Sequence, residues 1–496
     1  MYRKKMSGQL YLSEFFLPFG GKLRADNQWV QLSELMPWDA IEKNYVQNFK
    51  GGLGQKAISA RMAFGAIYIQ LKCGYTDIQV VEAIRENPYL QYFLGYTGFS
   101  DEPPFDSSMM VHFRKRITVD FVQEMTERIS GQKDEDDDHH SDDSNSGNGD
   151  ENQAESVNTN EQPNRGKLLL DATCAPADIH YPTDNRLLND SRVKLEEIID
   201  ELFEQVRKPY EKKPRDYRRN ARKDYLVISK QRNKPFTNLR KAIGKQLRYL
   251  ERDLKIINNL IIDRHANLKQ LRKDLHWKYC TIRGVFQQQG EMYHKNTCRV
   301  EDRIVSLSQP YVRPIKRGKA GANTEFGAKV AISLVNGYAT IDKISWNNFN
   351  EALYLQQAVE SYKLKNGYYP EAVLVDQIYR NHDNRAYCKK NGIRISGPRL
   401  GRPKKNEVQY DKRQAYLDSC ERNAVEGEFG TGKRRYGLNR IMAHLKNTSE
   451  CVIAMLFFIM NMEHKWRLLF VRFWHALFQT FFDEFCPFNH CLPLIQ

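Results

Sequence analysis

The spacing of apolar positions along this chain switches between helical and strand-like in long blocks. Residues 57–73 carry apolar side chains at helical intervals, and Thr76 or Asp77 can cap a second helix running to Asn87. Asp106, Ser107 and Ser108 offer caps for a basic helix over 109–117, which carries Arg114 and Arg116. Residues 1–130 therefore read as a helical N-terminal domain. Helix, turn and basic helix is compatible with DNA recognition through Arg114 and Arg116. A bundle with a solvated basic face reads equally well. Residues 131–165 are Asp, Ser, Asn, Gly, Glu and Gln with almost no apolar side chain, and are expected to be a disordered linker.

Strand-like sequence starts at 166–186, where a short buried strand over 168–176 has Asp171 near its end. Helical spacing returns over 187–299, in blocks at 187–206, 235–263 and 266–283, with Pro209, Pro214 and Pro235 as breaks. A second strand-rich block follows over 300–450. Two alternating runs flank Asn336-Gly337, a strong hairpin signal. Residues 351–365 read as a helix, 372–375 as a buried strand ending in Asp376, 384–391 and 413–433 as helices, and 397–405 as a basic loop. Residues 451–496 form an apolar helical segment, in which Trp466, Phe470, Phe473 and Trp474 face either a partner or the chain's own core. The predicted fold class is α/β: a mixed-sheet core split by a helical insertion, behind a helical N-terminal domain.

Charge narrows the partner. The net charge is +15, and residues 134–164 hold eleven acids and no Lys or Arg. Setting that segment aside leaves +26 on the rest, which favours a polyanion. Residues 207–255 carry eighteen Lys or Arg against five acids, as expected for an insertion with one DNA-facing side. The nine cysteines are odd in number and hold no CxxC pair, so a reduced, cytosolic chain is expected. Cys486, His490 and Cys491 lack a fourth ligand in zinc spacing. There is no signal-peptide pattern, and the apolar run at 451–460 is half the roughly 20 residues a bilayer needs.

Two acids closing apolar runs and one on a helix, on a basic chain, point to a two-metal site acting on nucleic acid. Hard divalent ions take oxygen ligands, so Asp171, Asp376 and Glu426 suffice as donors. At about 100° per residue, Glu426 and Lys433 lie roughly 40° and 20° from Arg422, whereas Glu428 lies about 240° away. Glu426 is thus the preferred third acid. Gly427, Gly430 and Gly432 each weaken this helix by roughly 1 kcal/mol and could break it before Lys433.

Arg422, Glu426 and Lys433 spell Arg-x3-Glu-x6-Lys. With Val373-Leu-Val-Asp376-Gln, Asn384-Arg385, Gly397-Pro-Arg-Leu-Gly-Arg-Pro, Arg317-Gly-Lys319 and the stretch 61–116, the chain resembles DDE transposases of bacterial insertion sequences, in the group related to insertion sequences four and five. One departure is Ser419, where that group places a Tyr; Tyr416 stands a turn earlier. The resemblance implies a ribonuclease-H-like catalytic core in which Asp171, Asp376 and Glu426 hold two Mg2+ ions, with Mn2+ able to substitute. It implies hydrolysis at transposon ends, then attack of the freed 3′-hydroxyl on target DNA, without a nucleotide cofactor. Arg422, Lys433, Arg317 and Lys319 would contact phosphates, and Trp346 or Tyr379 would either stack an extruded base or serve as a core aromatic. The implied partners are transposon-end and target duplex DNA and, in the DNA complex, a second copy of the chain. No membrane partner is implied, and the setting is the bacterial cytoplasm and nucleoid. The alternatives are a ribonuclease-H-fold nuclease without strand transfer and a non-catalytic DNA-binding derivative.

Overall fold

The computed structural model describes residues 11–17, 20–49, 57–131, 163–316, 324–397 and 409–485, with side chains in the last stretch over 413–472. Most of the acidic segment, Arg317 and Lys319, the basic loop from 398 onward, and Cys486, His490 and Cys491 lie outside the described residues.

Among the described residues, seven α-helices come first: α1 (Gln28–Leu35), α2 (Trp38–Val46), α3 (Ala60–Cys73), α4 (Asp77–Glu86), α5 (Pro88–Phe93), α6 (Met109–Arg116) and α7 (Val119–Ser130). Local chemistry sets their ends. The Ser59 hydroxyl accepts from Met62 N–H at the start of α3, and Gly74, at φ 70°, ends it in the left-handed region. Thr76 and Gln79 then form a reciprocal capping box that starts α4.

Strand β1 (Lys167–Pro176) follows, then the insertion helices α8 (Asp184–Val206), α9 (Arg218–Ser229), α10 (Phe236–Ile262) and α11 (Lys273–His294). The chain continues through β2 (Arg313–Lys316), β3 (Thr324–Val335), β4 (Tyr338–Ser345), α12 (Leu355–Asn366), β5 (Ala372–Leu374), α13 (His382–Lys390), β6 (Arg394–Ile395), α14 (Gln409–Arg435) and α15 (Lys446–Phe485). Asn336 and Gly337 take φ 49° and 81° between β3 and β4, the two positive values a tight hairpin turn requires.

The strands form one mixed sheet. β3 runs antiparallel to β1 on one edge and to β2 and β4 on the other, while β1, β5 and β6 are parallel. Antiparallel β4, β3 and β1 followed by parallel β5 and β6 is the ribonuclease-H-like arrangement expected above, with β2 added beside β4 on β3. One strand differs from expectation. Asp171 is the fifth residue of β1, not near its end, because pairing with β3 continues to Pro176.

Two cores cover the sheet. On one face, Leu169, Ala175, Val330, Ile332 and Leu374 pack in a cluster with α15 residues such as Ile453 and Phe458 and with Phe64, Ile67 and Phe121 of the N-terminal helices. On the other, Leu168, Leu170, Val373 and Val375 meet Leu355, Val359 and Cys388. Phe458 is fully buried, and its ring meets Phe64 edge-on at 5.3 Å and Tyr68 at 6.3 Å. Burial of such a ring stabilises by about 2–3 kcal/mol. The N-terminal helices therefore share a core with the sheet, with α15 between them. The expected boundary at 450 falls inside α15, whose first half is central to that core. The insertion has a core of its own, in which Leu195, Ile199, Leu250, Ile257 and Ile282 are buried together. No helix among the described residues is long and apolar enough to cross a membrane.

Candidate active site

Strand register brings two of the acids side by side. The parallel pairing of β1 with β5 ends at Leu169 opposite Leu374. Asp171 stands two positions further along β1, and Asp376 two positions past the end of β5. Side-chain alternation puts Asp171 on the face of Leu169, the face covered by α14 and α15, and the charge of Asp376 acts on it there. The Asp171 carboxylate accepts from Ala172 N–H at 2.7 Å, and that of Asp376 from Gln377 N–H at 2.7 Å. The Ser396 hydroxyl fixes the approach to Asp376: it accepts from Val375 N–H at 2.8 Å and donates to the Val375 carbonyl at 3.2 Å.

Helix α14 lies against β1 and β5. Val425 and Phe429 are its buried anchors. Glu421 takes the Lys167 ammonium at 2.7 Å at the start of β1, and the nearly buried Asp418 pairs with Arg394 of β6. These contacts orient the face that carries Arg422. Arg422 acts on Asp171 through its charge and stands 3.5 Å from Glu426. The predicted face is thus present, and Glu426 is exposed on it, 54% accessible. Glu428 is turned elsewhere. Burial raises its carboxyl, and its charged neighbour is Arg467 of α15.

The helix does not break at its glycines, because packing against α15 outweighs their propensity cost. A Cβ on Gly432 would stand 3.1 Å from both Leu438 Cδ2 and Met460 Sδ, so glycine permits this close approach. Lys433 consequently remains helical, in the last turn of α14.

Electrostatics mark Asp171 as the unusual acid. Burial pushes its carboxyl up to about 6; Glu351 and Asp376 push the same way, while the Ala172 N–H and Arg422 oppose. Glu351 does not stand out in the sequence. It follows Trp346-Asn-Asn-Phe-Asn rather than an apolar run, and no residue-level pattern marks it. The fold holds it with Lys329 at 2.6 Å, both side chains only 15% accessible. Asn384, also buried, ties this segment to the Asp376 turn by donating to Ala352 O at 2.7 Å and Tyr379 O at 2.9 Å. The Tyr379 hydroxyl is held protonated, first by burial and then by Glu351, Asp171, Asp342 and Asp376.

Carboxylate oxygens around a desolvated Asp171 suit a hard divalent cation, which would reverse the like-charge pressure there. Glu426 stands apart from this pair. Among the described residues no three His, Cys, Asp or Glu side chains are gathered closely enough to hold a metal ion.

Other predicted residues are occupied within the fold. Arg114 pairs with Asp77 and donates to Gln70 at 3.0 Å. Arg116 lies 4.8 Å over the Phe49 ring. Trp346 and Tyr379 are 5% and 2% exposed, so neither presents a face for a base; Trp346 donates to Glu450 at 2.7 Å.

Against known proteins, the model described as "Transposase DDE domain" matches residues 373–463, from β5 into α15. That described as "Transposase domain (DUF772)" matches residues 18–116, the N-terminal helices through α6. A Rhizobium meliloti protein described as "Uncharacterized protein ORF8 in nfe locus" is 27% identical over 158 residues, 32% of this chain. The chain spans 66% of that relative's length. No solved structure matches. The sheet order is that of a ribonuclease-H-like core. Within that fold, the two family matches support assignment to the DDE-type transposases of insertion sequences.

Proposed function

We propose that this chain is an active transposase of the group related to insertion sequences four and five. In this reading it cuts the ends of its element and joins the freed 3′-hydroxyls to target duplex DNA. The observation that carries the reading is that the charges of Asp376 and of Arg422 on α14 both act on the Asp171 carboxylate, just beyond the parallel pairing of β1 with β5.

Asp171, Asp376 and Glu426 would hold divalent cations, Mg2+ in the cell, two per site and replaceable by Mn2+. Bound there, the cations supply activation of the attacking oxygen and charge stabilisation at the leaving oxygen. The chain's own residues do the rest. Arg422 offsets charge at Asp171 and, with Lys433, presents cations to phosphate oxygens along one helix face. Glu351, restrained by Lys329, shapes the negative field at Asp171. The buried Asn384 and Ser396 hold the turn that aims Asp376. Arg317 and Lys319 are further phosphate-contact proposals from sequence. Arg114 and Arg116 remain in the DNA-binding set only through surface they share with exposed neighbours such as Lys115. Two ends brought together require two copies of the chain on DNA, acting in the cytoplasm at the nucleoid.

The test has two stages: a search of the DNA flanking the coding region for terminal inverted repeats, then Mg2+-dependent cleavage and joining of duplexes carrying the repeats so found. Asp376→Asn and Glu426→Gln are expected to abolish both steps while leaving DNA binding intact. Cleavage by both variants at the wild-type rate would remove the assignment, and cleavage without joined products would favour a nuclease.

A further inference from the structure

The insertion presents a surface that the acidic site does not use. Helix α9 is pinned on its inner side. Ala221 is fully buried and its carbonyl accepts from Gln246, and Asp224 takes the Tyr249 hydroxyl at 2.8 Å and the Lys245 ammonium at 3.0 Å. Its outer side carries Arg219, Arg222, Lys223, Leu226, Val227 and Lys230, which together line one open groove. These positions follow i, i+3, i+4, i+7, i+8, i+11, a single stripe of the helix.

Four of the six are exposed cations, and Leu226 and Val227 between them are 36% and 55% exposed. Several other cations of the insertion are matched: Arg218 with Asp216 and Asp200, Arg252 with Asp253 and Arg264 with Glu211. Among the described residues no acid pairs with Arg219, Arg222, Lys223 or Lys230. Like charges at helical neighbours repel, and only the charge of Asp224, already bonded to Tyr249 and Lys245, acts on Lys223.

We propose that the outer stripe of α9 seats the phosphate backbone of duplex DNA, with Leu226 and Val227 against the sugar edge. This rests on the reading that the chain acts on DNA. From Arg219 to Lys230 the stripe runs about 16 Å along the helix, and duplex DNA carries a phosphate about every 3.4 Å of axis on each strand, so four cations can engage one strand. Contacts of this kind position a duplex without reading its sequence. An anionic membrane is the poorer fit, because the inner side of α9 is occupied and only two aliphatic side chains face outward.

The test uses the full chain and a quadruple variant, R219A/R222A/K223A/K230A, with R215A/R232A/K234A/K241A as a control of equal charge elsewhere on the insertion. Because the stripe residues are exposed and unpaired, circular dichroism and the thermal midpoint should not change. The stripe variant should bind duplexes of any sequence more weakly. Its slope of log affinity against log salt should fall by about three, so that between 50 and 200 mM salt the wild type loses roughly a hundredfold more affinity than the variant. The control should keep the wild-type slope to within one. A stripe variant with the wild-type slope, or a control that falls equally, overturns the proposal. So does loss of binding to phosphatidylserine vesicles with DNA binding unchanged. A wild type that binds no duplex at all contradicts the functional reading itself, a different result from any of these.

Discussion

Replacing Asp171 with Asn should make the metal-free protein more stable while destroying its activity. Burial, Glu351 and Asp376 hold this carboxyl near 6 in the fold, against 3.8 for a free aspartate. The folded state therefore binds the proton more tightly than the unfolded chain. Below pH about 4 both states are protonated and Asp171 costs nothing. As pH rises through 6 the folded protein must carry a desolvated charge, and stability falls. Roughly two units at 1.36 kcal/mol each make the full cost about 3 kcal/mol at pH 8. Asn keeps the oxygen that accepts from Ala172 N–H and removes the charge. With about 2.1 cal/mol/K of unfolding entropy per residue, a chain of 496 residues would gain about 3 °C in its midpoint. The assay is thermal unfolding of wild type and Asp171→Asn in chelator from pH 4 to 8. The gap should open between pH 4 and 6 and stay level above. An equal or lower midpoint for Asp171→Asn at pH 8 would refute the electrostatic reasoning.

Other substitutions test the scaffold and the field around the site. Lys72 of α3 and Glu463 of α15 form an ion pair with side chains 7% and 2% accessible. Lys72→Met should cost about 3–5 kcal/mol in urea unfolding, and Lys72→Met with Glu463→Leu should recover most of it. Phe458→Ala should cost about 3–5 kcal/mol and loosen N-terminal helices and sheet together in hydrogen exchange; loss of protection in only one would contradict a shared core. Arg422 holds the Asp171 carboxyl down, so Arg422→Ala should move the acid limb of the pH–rate profile upward, and an unmoved limb would remove Arg422 from the site.

How much of this was legible in the chain depends on what each residue's signal encodes. Asp171 and Asp376 stand out because each interrupts or ends an apolar run, the mark of a buried strand. Their juxtaposition is a matter of register between strands separated by the whole insertion, which no local pattern carries. That Arg422 and Glu426 share a face was legible from helical periodicity, and on α14 they stand 3.5 Å apart. The glycines misled in a physical sense: propensity predicts a weak helix, but Gly432 is where α14 comes closest to Met460. Glu351 and Lys329 were invisible, since their importance arises from a tertiary ion pair. Arg114 and Arg116 show the reverse problem. A basic helix displays charge in sequence, but not that Asp77, Gln70 and Phe49 occupy it.

The central claim, that Asp171, Asp376 and Glu426 serve one site, is tested most directly by comparing two neighbours on α14. Single-turnover cleavage of the element's own end duplex in Mg2+ should be lost in Glu426→Gln and retained in Glu428→Gln, whose carboxyl is turned toward Arg467. Retained cleavage in Glu426→Gln with loss in Glu428→Gln would contradict the account.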